Sequence, residues 1–230
     1  MEERIVKEKG YLHIIVGQMF SGKSEETHKV VRRKRIAKKR VLVFKSIIDC
    51  RDNNVGENIC VTHAGNIFKD VTAVSSAIEI LKHIDLSDPP DDVIIEEGQF
   101  LGEKFIKIVL YLIDIGINVC VNSLLSDFKT NRFGYIHELI RYMDGISFLQ
   151  AVCVVCGKDA IYSQAKKTEI IESSSQVHVG NEQEFEARCK DCFEYPPDYI
   201  NQINEISKIH KEINGNGKAK HPRENILINN

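Results

Sequence analysis

No apolar run in this 230-residue sequence approaches membrane-spanning length. The richest stretch, Ile108 to Val121, is broken by Asp114, Gly116 and Asn118. The opening residues Met1-Glu2-Glu3-Arg4 lack the apolar centre of a secretory signal. Charge of neither sign dominates. Lys and Arg number 31 against 33 Asp and Glu, a formal net charge of −2, so the whole chain carries no bias toward nucleic acid. No internal repeat is present. These absences predict a soluble, cytoplasmic protein. A composition that is 43% hydrophobic and 28% charged is ordinary for a globular chain, and 230 residues suit one large domain or one domain with a small appendage.

Cysteine is thinly spread until residue 153. Cys50, Cys60 and Cys120 are scattered and read as small buried or semi-buried side chains. The other four form two pairs, Cys153-x-x-Cys156 and Cys189-x-x-Cys192. In an intracellular protein, matched pairs of this spacing favour metal over disulfides or a free-thiol set. Four thiolates close a tetrahedral site around Zn²⁺ with no open position, so the role is structural. The 32 residues between the pairs (157–188) exceed the loop of a short zinc ribbon and imply a long excursion anchored at both ends.

The most specific segment is Gly17-Gln18-Met19-Phe20-Ser21-Gly22-Lys23-Ser24, a G-x-x-x-x-G-K-S phosphate loop. The apolar run Leu12–Val16 precedes it and a helix predicted over 23–39 follows. In such a loop successive N–H groups face one anion, and the helix aims its positive end at the same phosphates. Lys23 reaches the β- and γ-phosphates of ATP, and Ser24 ligates Mg²⁺. Eight Lys or Arg and no acid lie between Lys29 and Arg40. A solvated helix accounts for that run better than a nucleic-acid patch, and local basicity also draws nucleotide toward the loop.

Further strands are predicted at Val41–Phe44, Val93–Ile95, Ile117–Leu125 and Ile146–Val152. Helices are predicted at Val74–Leu86 (Ile78, Leu81 and Ile84 on one face), Glu103–Ile115 and Tyr135–Met143, with a loop or flap over Ile48–Phe68. Strands alternating with helices predict an α/β fold, a mostly parallel sheet with helices on both faces, plus a small four-cysteine zinc domain. Residues 1–150 form the phosphate-loop domain, 151–195 the zinc domain, and 196–230 a largely disordered tail with a short helix over 198–210. The strand Val93-Ile94-Ile95 delivers Glu96 and Glu97 beside the phosphate loop. One acid at this place helps hold Mg²⁺, and its neighbour is placed to act as a base. Met19, Phe100, Phe128 and Phe133 are candidate apolar walls for an acceptor.

Together these motifs resemble the cellular-type (type II) thymidine kinases, from about Gly10 to Cys192. The matching elements are Gly17–Ser24, Asp49-x-Arg51, Thr62-His63, Glu97-Gly98-Gln99-Phe100, Phe128 with Phe133-Gly134, and both cysteine pairs. The resemblance implies transfer of the ATP γ-phosphate to the 5′-hydroxyl of thymidine, with Mg²⁺. Glu97 matches the family's base, and Asp49 and Arg51 match a pair near the metal and phosphates. Glu96 stands where the family has an aspartate assisting Mg²⁺. Met19, Phe100, Leu124, Phe128 and Phe133 match the apolar pocket. The segment between the cysteine pairs matches a lasso that holds the base through main-chain hydrogen bonds, with Val179 and Gly180 on it. The resemblance also implies a homotetramer, feedback inhibition by thymidine triphosphate, and no membrane or direct nucleic-acid binding.

Apart from Glu96, the departures fall on the nucleoside side. Leu125-Ser126-Asp127-Phe128 replaces Asp-Gly-Thr-Phe, and Ser163 replaces a threonine near the thymine methyl. Phe185 replaces the lasso tyrosine, Val179-Gly180-Asn181 replaces an Ile-Gly-Gly type turn, and Gln164-Ala165 stands where an arginine is expected. Two other readings therefore stand beside the kinase: a catalytically altered nucleotide-binding regulator of the same fold, and an ATPase with a nucleic-acid-binding zinc module.

Overall fold

The computed structural model describes residues 8–49, 59–61, 67–166 and 184–213, with backbone alone at 49, 59–61 and 67–69. In chain order, β1 (Leu12–Gly17) leads through the phosphate loop into α1 (Lys23–Ile36), and β2 (Val41–Ser46) ends in a 3-10 turn, Ile47–Asp49. β3 (Ile59–Val61) and β4 (Ile67–Lys69) pair antiparallel, followed by β5 (Val71–Val74), α2 (Ala77–Ile80) and β6 (Asp92–Glu96). Then come α3 (Phe105–Asp114), β7 (Asn118–Ser123), α4 (Ile136–Ile140) and β8 (Gly145–Leu149). Six strands form one sheet in the order β5-β2-β6-β7-β1-β8, and every pairing in it is parallel.

The strand pleat sends alternate side chains to opposite faces. Leu12, Ile14 and Val16 of β1, Val93 and Ile95 of β6, and Val119 and Val121 of β7 join Ile80 of α2, Phe105, Val109 and Leu112 of α3, and Ile136 and Leu139 of α4. On the other face, Ile15, Val43, Ile94 and Cys120 pack with Val31 of α1. Helices thus cover both faces, which is why the strands read as continuous apolar runs. Burial pushes the Cys120 thiol up to about 12, so it serves as a small apolar side chain.

The basic run has a local explanation. Arg33, Lys34 and Arg35 fill the last turn of α1, while Glu25 and Glu26 stand in its first, complementing the helix dipole. Lys29, Lys34, Arg35, Lys39 and Arg40 are each ion-paired, with Glu26, Asp92, Asp70, Asp91 and Asp88.

One strand appears where none was expected, and two expectations are corrected. Residues 71–74 are a strand, because Val71 and Val74 are buried at the sheet edge beside β2. The helix expected over 74–86 is reduced to α2 and a 3-10 turn, Leu81–His83, with Ala77 and Ile80 inward and Ile78 exposed. The strand expected over 146–152 divides: β8 stays in the sheet, while β9 (Ala151–Val152) pairs antiparallel with β10 (Asp159–Ala160). A second antiparallel pair joins β11 (Tyr162–Ala165) to β12 (Phe185–Arg188).

The chain divides into two compact units, Met1–Phe193 and Glu194–Asn230. In the second, α5 runs Pro197–Ile213, longer at both ends than the helix expected over 198–210, and Tyr195 stacks on Tyr199 with ring centroids 4.4 Å apart. Among the described residues no helix is long and apolar enough to cross a membrane.

Candidate active site and cysteine cluster

β1 delivers Gly17 to a point where a side chain has no room. A Cβ there would stand 2.4 Å from Ser21 Oγ and 2.5 Å from the Leu149 carbonyl oxygen. The loop closes with Ser21 N–H donating to the Gln18 carbonyl (3.3 Å). Phe20 (φ 65°) and Gly22 (φ 82°) both take left-handed backbone. For Phe20 this is strain, of the kind that collects at ligand sites. Lys23, at 7% exposure, sends Nζ across the loop to the Gln18 carbonyl (3.1 Å). Ser24 is half-buried in the first turn of α1. Ser21 Oγ is buried and finds no hydrogen-bond partner among the described residues.

Glu96 ends β6, and Glu97 follows at φ 53°, ψ 47°. β7 lies between β6 and β1, so an atom on β7 must span the gap between these acids and the phosphate-loop helix. Asn122 does so. It is fully buried, its Oδ1 accepts the Glu97 N–H (3.0 Å), and its Nδ2 donates to Glu96 Oε1 (3.1 Å) and Thr27 Oγ1 (2.9 Å). Thr27 in turn donates to the Lys23 carbonyl (2.9 Å). Because the Glu97 N–H can only donate, the amide's orientation is settled. Glu96 is 2% exposed, a burial that an ionised carboxylate tolerates only with hydrogen-bond or charge partners. Gln99, 5% exposed, lies beside Glu97. Its Nε2 donates to Glu97 Oε2 (2.5 Å), and its Oε1 accepts from Ser123 Oγ (2.9 Å) and Leu124 N–H (3.2 Å).

The expected apolar walls gather in two groups. Met19 and Phe20 pack on Phe128, Ala165 and Phe185, with the Phe128 and Phe185 rings 5.9 Å apart. Phe100 and Phe133 meet edge to face at 5.5 Å. Gly134 makes that meeting possible. A Cβ on it would stand 2.5 Å from the Gln99 carbonyl oxygen, and its φ is +62°. Leu124 is half-buried and reached through its N–H by Gln99. The substituted turn before Phe128 is closed by Asp127, whose Oδ1 accepts the N–H groups of Lys129 and Asn131, both at 2.8 Å. Ser126 and Ser163, two of the departures, both bond Gln18. Gln18 Nε2 donates to Ser126 Oγ (2.7 Å), and Ser163 Oγ donates to Gln18 Oε1 (3.3 Å) while accepting the Met19 N–H (3.2 Å). The Asp49 side chain, Arg51, Thr62, His63, Val179 and Gly180 lie outside the described residues.

The four cysteines come together. The Sγ atoms of Cys153, Cys156, Cys189 and Cys192 all lie within 4.8 Å of one another, with Cys156 and Cys189 at 3.5 Å. Each pair is a tight turn, with Gly157 N–H on the Cys153 carbonyl (2.9 Å) and Cys192 N–H on the Cys189 carbonyl (3.1 Å). Burial opposes ionising Cys153, but N–H groups of Cys189, Val155 and Cys156 aimed at its sulfur bring it down to about 6. Cys192 is pushed up to about 12, first by its bond with the Cys156 thiol and then by burial. Ligands about 2.3 Å from a tetrahedral Zn²⁺ stand roughly 3.8 Å apart, which these sulfurs fit.

Sequence reasoning passed over Asn122, Ser123 and Thr27, and the side-chain roles of Gln99 and Gln18. The available signal was polarity in a buried place: Asn122-Ser123 closes the apolar run of β7.

The profile of the thymidine kinase family matches residues 10–193. A thymidine kinase of Mycoplasma genitalium is 34% identical over 186 residues, spanning 79% of this chain and 82% of that protein. With the phosphate loop, the carboxylate pair and the four-cysteine cluster on one parallel α/β scaffold, the chain belongs to the thymidine kinase family.

Proposed function

We propose that this protein transfers the γ-phosphoryl group of ATP to the 5′-hydroxyl of thymidine, giving thymidine monophosphate. The observation that carries the reading is Asn122, which joins the Glu96 carboxylate and the Glu97 main chain to the helix that follows the phosphate loop. Phosphoryl transfer asks the protein for in-line positioning and charge stabilisation more than covalent chemistry. Gly17 to Gly22 cradle the phosphates, and Lys23 offsets charge on the β- and γ-oxygens. The Ser24 hydroxyl and Glu96 carboxylate are hard oxygen donors of the type Mg²⁺ takes, and the ion would neutralise charge between the two phosphates. Glu97 accepts the 5′-hydroxyl proton as the new O–P bond forms and the bond to ADP breaks. Asp49 and Arg51 assist near the metal and phosphates.

On the acceptor side, Met19, Phe100, Leu124, Phe128, Phe133 and Phe185 enclose the nucleoside, and Ser163 lies near the base. Val179 and Gly180 hold it through the main chain of the lasso. Zinc on the four cysteines anchors both ends of that lasso. A cytoplasmic homotetramer inhibited by thymidine triphosphate completes the proposal.

The test is ATP–Mg²⁺-dependent phosphorylation across a panel of nucleosides. Thymidine is the expected acceptor, and Glu97→Gln is expected to cut turnover by about 10²–10⁴ with ATP binding retained. ATP binding without turnover on any nucleoside would favour the nucleotide-binding regulator instead.

A further inference from the structure

We infer that Gln99 is a positioning residue for phosphoryl transfer: its buried amide holds the Glu97 carboxylate in the direction from which it takes the acceptor's proton. The inference rests on the reading of Glu97 as the base. Three observations carry it.

The first concerns Glu97 itself. It is half-buried, on left-handed backbone, at the end of a strand. A glutamate there has three side-chain torsions to settle, and an untethered one spreads over several rotamers. Proton transfer needs one of them, and a misplacement of about 1 Å costs on the order of 10²-fold in rate.

The second concerns the tether. A glutamine amide can be turned either way, but Leu124 N–H is a backbone donor and points at Oε1. Nε2 is therefore the atom on Glu97, and it donates to the carboxylate. Ser123 Oγ stands 2.9 Å from the same Oε1.

The third concerns what holds the tether. Gln99 sits in the 3-10 turn Gly98–Phe100, and Gly134 packs against its main chain closely enough that no Cβ fits between them. The amide has little room to follow a drifting carboxylate, so the constraint runs from the fold to Glu97.

A purely structural role, in which Gln99 only satisfies Leu124 N–H, makes a different prediction. In the full-length protein, kcat, both KM values and the melting temperature are measured for Gln99→Met, Glu97→Ala and the double variant. Positioning predicts that Gln99→Met lowers kcat by about 10–100-fold, with KM for ATP and thymidine nearly unchanged. It also predicts that the loss shrinks to less than about twofold when Glu97 is already alanine, because a residue acting through another has nothing left to act on. An equal loss in both backgrounds, or no loss in the first, overturns the inference. Unchanged turnover in Glu97→Ala alone would instead remove Glu97 as the base, a separate failure visible without any change at Gln99. Should Gln99→Met not fold, Gln99→Glu keeps the acceptor for Leu124 and Ser123 and puts a charged carboxylate oxygen in place of the donor facing Glu97. The same fall in kcat is expected of it, and full activity would overturn the inference.

Discussion

Around the phosphate loop, buried polar atoms find their partners inside the parallel sheet. Asn122 joins β7, β6 and α1, and Gln99 ties Glu97 to the start of the loop after β7. Around the cysteines the packing is of another kind. Ala151, Ala160 and Ala187 are the apolar company of Cys153 and Cys189, with Phe20 and Cys192 at the margin. Alanines bury little area, and a core of that size does not hold two short antiparallel strand pairs by itself. The first region is rigid because its hydrogen bonds share strands with a large core. The second gathers four sulfurs within 4.8 Å of one another, a set compatible with one zinc ion. Gln18 bridges the two, through Ser126 on one side and Ser163 on the other.

The largest effect should come from removing metal. Structural Zn²⁺ contributes about 10–16 kcal/mol in zinc-finger peptides. Chelation under reducing conditions, or Cys156→Ser, is expected to release one zinc per chain and abolish thymidine phosphorylation. ATP affinity by calorimetry should hold within about threefold. Equal loss of ATP binding would break the comparison.

Asn122→Ala attacks the other region. It removes the acceptor of the Glu97 N–H and a donor to the buried Glu96 carboxylate, at a cost of about 2–3 kcal/mol. A fall in melting temperature of about 5–10 °C is expected by scanning calorimetry, with zinc content unchanged. Gln18→Ala should do less, about 1 kcal/mol, because its side-chain partners are neutral hydroxyls rather than a carboxylate. It should raise KM for thymidine by about 3–10-fold and leave ATP affinity within twofold, which would mark Gln18 as a link rather than a phosphate ligand.

The smallest effect lies at the far end of the sheet. The Lys39 ammonium and then the Arg40 N–H hold the Asp91 carboxyl below its usual value. Its contribution to stability is therefore complete above about pH 4 and is lost as pH falls through the lower folded value. Asp91→Asn should lose less melting temperature between pH 5 and pH 3 than the parent, with substrate affinities untouched.

Much of this was legible from residue order. A phosphate loop needs its strand, glycines and helix contiguous in the chain, so eight letters at 17–24 carry the whole device. The cysteine pairs are legible for the same reason: each pair is one tight turn, and only the meeting of the two turns is long-range. The strand at 71–74 was missed because four residues bounded by a bend carry no periodicity, and its burial comes from β2. The helix over 74–86 was overdrawn because Ile78, Leu81 and Ile84 have helical spacing, whereas Ala77 and Ile80 are what the core accepts.

Chain order by itself determined the nucleotide loop, the acids after β6, the metal set and the alternation of strands and helices, since each is a pattern within a few neighbouring residues. Tertiary structure alone decided which polar side chains are paired. Asn122 stands 95 residues from Thr27 and 26 from Glu96, and Ser163 stands 145 from Gln18. A hydrogen bond needs a donor and an acceptor about 3 Å apart, and that distance is set by the order of strands in the sheet rather than by order in the chain.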